Sequence, residues 1–197
     1  MSYRLKRPLD IGLATVGCLL FAPVMLIIVI SIYLDDRGTI LFKQQRIGQY
    51  RRPFMIFKFR SMNAQGVTRV GRWLRATGLD ELPQFINILR GEMTIVAPRP
   101  LTQADIVRLG WDKPAFDARW SLPSGITGLA QLYSGHSARV SAYLDKRYIE
   151  QSSLSLDSYV IVISFLINVL GKQRVRAWLR PKKFSTTLSI STASTAS

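Results

Sequence analysis

Cysteine and histidine are almost missing from this chain: Cys18 and His136 stand alone in 197 residues. One thiol allows no internal disulfide and no thiolate metal cluster, and one imidazole excludes a multi-histidine metal site. Acids are scarce too, with 12 Asp plus Glu against 27 Lys plus Arg, a net charge of +15. The implied partner is an anionic surface: nucleic acid, acidic lipid or a phosphorylated substrate. Charge alone does not choose among them. A hydrophobic share of 48% argues against a disordered chain, and the length suits one modest domain with apolar surface left over. There is no internal repeat.

What is present begins with an uncharged run, IGLATVGCLLFAPVMLIIVISIYL, residues 11–34. As a helix it would extend about 36 Å, roughly a bilayer core. No small-residue cleavage site follows, and Asp35, Asp36 and Arg37 come directly after, so the segment is expected to stay as an anchor. Arg4, Lys6 and Arg7 precede it, while Arg37, Lys43, Arg46, Arg51 and Arg52 follow, so the positive-inside rule draws both flanks to the cytoplasm. Pro23, in the middle, removes a backbone hydrogen bond and offers a point for a bend. Two topologies stay open on these grounds: a re-entrant helical hairpin broken at Pro23, and a kinked single-pass helix, the commoner fate of such a run.

Residues 39–62, TILFKQQRIGQYRRPFMIFKFRSM, predict two strands around a turn near Gly48, with Pro53 opening the second. Period-two alternation puts Lys58 and Arg60 on the face of Ile56. That is a candidate anion site, although solvated strand faces often carry such pairs. In VTRVGRWLRA, 67–76, Arg69, Arg72 and Arg75 form a helical stripe with Val70, Trp73 and Leu74 around it. Beside a membrane segment this reads as an interfacial helix, although a soluble surface helix has the same pattern.

The stretch GLDELPQFINILRGEMTIVAPRP, 78–100, places two carboxylates together in a chain short of them. Leu82, Phe85, Ile86 and Leu89 predict a helix to about Arg90, with Pro83 in its first turn and Asp80 and Glu81 at its N-terminus. Acids in a first turn are favoured by the helix dipole, and for an isolated pair that explanation suffices. The same dipole would lower their pKa, leaving them ionised as nucleophile or magnesium ligands. MTIV, 93–96, is a short strand, and Arg99, between Pro98 and Pro100, offers a pre-ordered fork for phosphate. Nucleophile, metal and cationic clamp are the parts of phosphoryl transfer.

Further on, LPSGITGLAQ, 122–131, reads as a glycine-rich turn segment, followed by helices over about 138–151 and 154–170. A basic stretch around Trp178 suggests another surface-bound helix, and STTLSISTASTAS, 185–197, is low in complexity and expected to be disordered.

The run RVGRWLRATGLDELPQFINILRGEMTIVAPRP, with QRIG at 45–48, KFRSM at 58–62 and GITGLAQ at 125–131, resembles the bacterial sugar transferases, the monotopic phosphoglycosyl transferases. The resemblance covers LKRPLD to about residue 170. It implies transfer of a sugar 1-phosphate from a UDP-sugar to undecaprenyl phosphate, release of UMP, use of Mg2+, and a re-entrant helix broken at Pro23, all on the cytoplasmic face of the bacterial inner membrane. It further implies Asp80 as nucleophile, forming a phosphosugar-aspartyl intermediate, and Glu81 completing a dyad as metal ligand or base. Lys58, Arg60, Arg75, Arg99 and Gln131 are then candidates for phosphate or substrate binding. Asp145 and Tyr148 in LDKRYIE fall where the family keeps an acid and an aromatic. Glu92 and Ala97 depart from the family pattern, as do Ser124 and the SGHS stretch at 134–137. No metal role is therefore given to Glu92, and recognition of sugar or uridine is open to change.

The expected architecture is a small α/β or α+β monotopic membrane protein: a re-entrant hairpin over 1–37, a catalytic domain with a short sheet and interfacial helices over 38–184, and a tail over 185–197. A membrane-tethered polybasic binding protein is the alternative, but the basic residues are interleaved with strands and prolines, and no nucleic-acid module appears. Oligomeric state and the donor sugar are not written in the sequence.

Overall fold

A computed structural model of the chain describes residues 4–133, 137–171, 174 and 175. The His136 loop, residues 134–136, the basic stretch around Trp178 and the expected tail lie outside the described residues. As expected, helices surround short sheets, behind one long apolar N-terminal helix.

That helix, α1 (Lys6–Asp36), contains Pro23 and continues through it. Of the two topologies left open by the sequence, the hairpin expects a break at Pro23 and the single-pass helix a kink; the backbone runs as one helical element through Pro23, because a proline removes its own N–H but leaves its neighbours' bonds available. Both ends of α1 are fastened to the same domain. Near the start, Arg7 donates to the carbonyls of Ile88 (2.6 Å) and Leu89 (3.1 Å), while Asp10 accepts from Thr94 Oγ1 (2.5 Å) and the Ile95 amide (3.1 Å). Lys6 forms a buried ion pair with Asp157 at 2.5 Å. At the other end, Asp36 takes a two-pronged grip from Arg60, and Asp35 accepts from the Val70 amide. Between these anchors Leu19, Leu20, Leu26 and Ile27 are mostly exposed, and only 17% of the most apolar 18-residue window is buried. So large an apolar surface is a site of membrane contact.

β1 (Leu41–Ile47) and β2 (Pro53–Phe59) make the expected antiparallel hairpin, paired from Leu41 with Phe59 to Ile47 with Pro53. A small hairpin, β3 (Met62–Asn63) and β4 (Gly66–Val67), leads into α2 (Arg69–Thr77), whose first turn is capped by Thr68 accepting from the Gly71 amide. On α2, Leu74 is buried and Trp73 is 53% exposed, one face of the helix packed and the other open. α3 (Gln84–Leu89) precedes β5 (Met93–Val96). Then come α4 (Gln103–Leu109) and a 3-10 segment (Pro114–Trp120), neither expected from sequence.

The glycine-rich stretch is not all turn: it forms β6 (Ser124–Thr127), parallel to β5, and the short α5 (Leu129–Leu132). α6 (Ala138–Gln151) and α7 (Leu154–Leu170) fall where expected. Val96, Ala97, Leu122, Leu132, Tyr148 and Val160 build the core beneath the β5–β6 pair. Val162 and Phe165 on α7 are exposed and add to the apolar surface.

Candidate active site

Gly78 ends α2 with φ 72°, a left-handed conformation that costs glycine nothing, and turns the chain into a 3-10 turn (Leu79–Glu81) carrying both acids. α3 starts after Pro83. The buried Asn87 side chain then locks α3 to β2, accepting from the Phe57 amide (3.1 Å) and donating to the Met55 carbonyl (2.7 Å). It also donates to Glu92, which is thereby given a structural task.

This docking brings Lys58 Nζ to within 2.6 Å of Glu81 Oε1. Arg99 Nη2 donates to the same oxygen at 2.9 Å, from the loop that leaves β5. That loop is held in place by the Ala97 amide donating to the Thr127 carbonyl and the Gly125 amide donating to the Pro98 carbonyl, each 2.9 Å. A side chain at position 125 would begin only 2.3 Å from the Ala97 nitrogen, so the GITG glycine is there for close backbone approach. Beneath it, Arg119 Nη2 donates to the Arg99 carbonyl (2.6 Å) while its Nε donates to Asp145 (2.9 Å).

The environment drives the two acids apart. Burial and the neighbouring Glu81 push the Asp80 carboxyl above its ordinary pKa, and Lys58 and Arg75 offset this only in part. Burial also acts to raise Glu81, but Arg99 and Lys58 outweigh it and hold that carboxyl below its ordinary value. The expectation that a helix end lowers both is therefore corrected for Asp80: the pair lies in a 3-10 turn ahead of α3, and desolvation dominates. Among the described residues no Lys or Arg comes within ion-pair distance of Asp80. Glu81 is a fixed anion, whereas Asp80 is a half-buried carboxylate with raised proton affinity.

A cavity of about 550 Å³ opens here, lined by Arg75, Glu81, Arg99, Gln131 and, from α7, Ser164 and Asn168. This is the scale of a small-molecule site. Glu81, Arg75, Arg99 and Gln131 line the cavity; Lys58 joins them through its ion pair with Glu81, and Asp80, next to Glu81 in the 3-10 turn and within the electrostatic reach of Lys58 and Arg75, stands behind that wall. Arg60 is not brought to it: β2 ends at Phe59, and Arg60 turns to Asp36 and the Thr39 carbonyl. Tyr148 is not either; it is 1% exposed, its hydroxyl 2.6 Å from the Val96 carbonyl and 2.7 Å from Asp157, out of reach of a substrate. Asp145 is buried against Arg119 and does not line this cavity.

Sequence reasoning missed Arg119, for which there was no signal, and Arg46 and Gln84. Arg46 Nε and Gln84 Nε2 are buried donors without partners, and both residues line a void of about 10 Å³ with Lys58 and Arg99, enough for one acceptor oxygen. Arg46 lies in the QRIG motif, which was a usable signal.

Among the described residues no three His, Cys, Asp or Glu side chains converge, so no protein-only metal cage forms. The donor set that is present, Asp80 with the second oxygen of Glu81, suits magnesium whose remaining shell comes from phosphate oxygens and water. A basic carboxylate, a fixed anion and a row of cations beside a cavity fit nucleophilic attack at phosphorus.

Comparison with known proteins identifies a family. The model of the bacterial sugar transferase family matches residues 1–171. The UDP-N-acetylgalactosamine-undecaprenyl-phosphate N-acetylgalactosaminephosphotransferase of Aeromonas hydrophila is 35% identical over 80% of this chain and 42% of its own length. The undecaprenyl-phosphate glucose phosphotransferase of Komagataeibacter xylinus is 36% identical over 85% of this chain and 36% of its own. The exopolysaccharide production protein PSS of Rhizobium leguminosarum bv. phaseoli is 33% identical over 82% of this chain and 93% of its own. The chain therefore spans about two fifths of the first two relatives and nearly all of the third.

Proposed function

Because this chain belongs to the bacterial sugar transferase family, we propose that it transfers a sugar 1-phosphate from a UDP-sugar to undecaprenyl phosphate, releasing UMP, as the membrane step that begins glycan assembly. The observation that carries this reading is the Asp80–Glu81 pair with Lys58 and Arg99 both bonded to Glu81, beside a cavity that Glu81 lines together with Arg75, Arg99 and α7. The activities named for the relatives support a uridine diphosphate donor, a UDP-N-acetylhexosamine or a UDP-hexose, and a polyprenyl acceptor.

Asp80, ionised, attacks the sugar-bearing phosphorus. The bond from that phosphorus to the UMP oxygen breaks, and its electron pair leaves with UMP. An oxygen of the lipid phosphate then attacks the same phosphorus and expels the Asp80 carboxylate, restoring the enzyme. The covalent step lets UMP leave before the second bulky anion arrives. Arg99, Lys58 and Arg75 offset the charge that builds on the phosphoryl oxygens. Glu81, with its pKa lowered and one oxygen shared by Lys58 and Arg99, is a weak base; it orients the cations. A lipid phosphate carries close to two charges at neutral pH, so there is little proton for a base to take. Magnesium held by Asp80 and Glu81 would supply further charge neutralisation on the donor's pyrophosphate.

Purified protein in detergent is expected to release UMP from a matching UDP-sugar, continuously with undecaprenyl phosphate and as about one equivalent without it. Chelation of the divalent cation stops both. Folded protein that releases no UMP from any donor, hexose or N-acetylhexosamine, would return attention to the polybasic binding reading.

The membrane arrangement we propose is a re-entrant α1 on the cytoplasmic face of the inner membrane. It is supported by the fastening of both α1 ends to one domain and by basic residues on both flanks. In a Cys18→Ser background, cysteines placed at Arg4 and at Gly38 are both expected to be shielded from an impermeant maleimide in intact cells and to react after permeabilisation. Labelling of just one of them from outside would make α1 a spanning helix.

A further inference from the structure

A second cavity, about 310 Å³, shares Arg99 and Gln131 with the cavity lined by Glu81. Its other walls come from α4, α6 and the residues around them, and are mostly apolar, Leu101, Leu109, Trp111, Ala130 and Ala138, with Ser141 and the buried Arg119 as polar members. Asp145 also reaches it, but is committed to Arg119. At the junction of the two cavities Gln131 holds a fixed amide. Its Nε2 donates to the Ile126 carbonyl at 3.1 Å, which sets the orientation, and its Oε1 is buried without a partner. A buried acceptor of this kind is completed by an N–H or O–H from outside the chain.

We propose that this second cavity holds the uridine end of the donor, with the base against the apolar wall and its N3–H donated to Gln131 Oε1. The inference rests on the sugar-phosphate transfer reading and deepens it. A flat base needs few polar partners, and a ring of that size with its ribose fits the volume. A hexose presents hydroxyls around its whole rim and would leave most of them unpaired on this wall. With uridine here, the pyrophosphate crosses Arg99 and delivers its sugar-bearing phosphorus to the Asp80 side. UMP then departs through one cavity while the phosphosugar stays in the other, the one walled by α7, where a lipid phosphate arrives from the apolar surface.

UMP and CMP binding to the full-length protein in detergent, measured by calorimetry, tests the site without any turnover. CMP carries an acceptor at N3 where UMP carries a donor, so wild type should bind UMP about tenfold or more tightly than CMP, and Gln131→Leu should erase the preference. Ser141→Leu, which fills the cavity from α6 and leaves Asp80, Glu81 and Arg99 untouched, should weaken UMP by about tenfold and raise the donor KM in parallel, with the lipid KM unchanged. Equal affinity of wild type for UMP and CMP overturns the proposal, and that comparison needs no variant. So does UMP binding indifferent to Ser141→Leu; if the variant instead changes the choice among UDP-sugars, the sugar occupies the cavity. UMP bound with the expected preference by a protein that never releases UMP from a donor would keep this site and discard the transfer reaction.

Discussion

Asp80→Asn loses turnover by on the order of a thousand-fold or more and keeps its fold and its membrane attachment. The two halves of this result have the same cause. Folding raises the proton affinity of Asp80 through burial and through Glu81, so ionising this carboxyl costs more in the folded state than in the unfolded chain. Asparagine removes that charge from a site that already holds Glu81, and the folded protein is as stable as wild type or more so. The charge is nevertheless what attacks phosphorus, and the amide cannot replace it. The one-equivalent burst of UMP without lipid disappears with the steady state. The pH profile gives an independent check. Since the nucleophile acts ionised and its pKa is raised, kcat/KM falls on acidification at a higher pH than an ordinary aspartate would give. Arg75 favours the ionised form, so Arg75→Gln moves the acid limb further up. Asp80→Asn with a tenth of wild-type turnover, or an acid limb that stays in place in Arg75→Gln, would remove Asp80 from the role of nucleophile.

The parts of the molecule legible in the sequence are those set by local rules. Alternation and Pro53 located the β1–β2 hairpin, MTIV gave β5 to the residue, and apolar periodicity placed α6 and α7. The carboxylate pair and the proline-held arginine stood out because their residue types are rare or restricted here. What was not legible depends on neighbours distant in the chain. GITG lacks the alternation of a strand, and it becomes β6 because its glycines let the backbone approach Ala97. Lys58 and Arg60 share a face only while the strand lasts, and it stops between them. Helix polarity predicted a low pKa for Asp80 from local backbone alone, while its burial comes from elements far away in sequence. Tyr148 and Asp145 were flagged by resemblance as an aromatic and an acid; only the packing separates a buried prop from a substrate contact.

Arg119 invites the opposite experiment, in which stability is lost first and can be given back without the activity. Its guanidinium lies between the rings of Trp111 (5.1 Å) and Trp120 (4.9 Å), is 7% exposed, and faces an equally buried Asp145. Burial pushes the Asp145 carboxyl above its ordinary pKa even with Arg119 opposing it. Arg119→Met strands that carboxylate, and the expected loss is about 3–5 kcal/mol in chemical denaturation, the usual result of removing one partner of a buried pair. Arg119→Met combined with Asp145→Leu removes both charges and should recover most of that loss. Turnover should not follow. In either variant the Arg99 carbonyl has lost its donor at 2.6 Å, the loop that carries the phosphate clamp is held from one side fewer, and a displacement of the order of an ångström costs about ten- to a hundredfold in rate. A double variant that regains stability and stays slow at saturating donor, with UMP affinity unchanged, places Arg119 as the residue that positions Arg99. One that regains both shows that the pair only holds the fold together, and that β5 and β6 suffice to set the clamp.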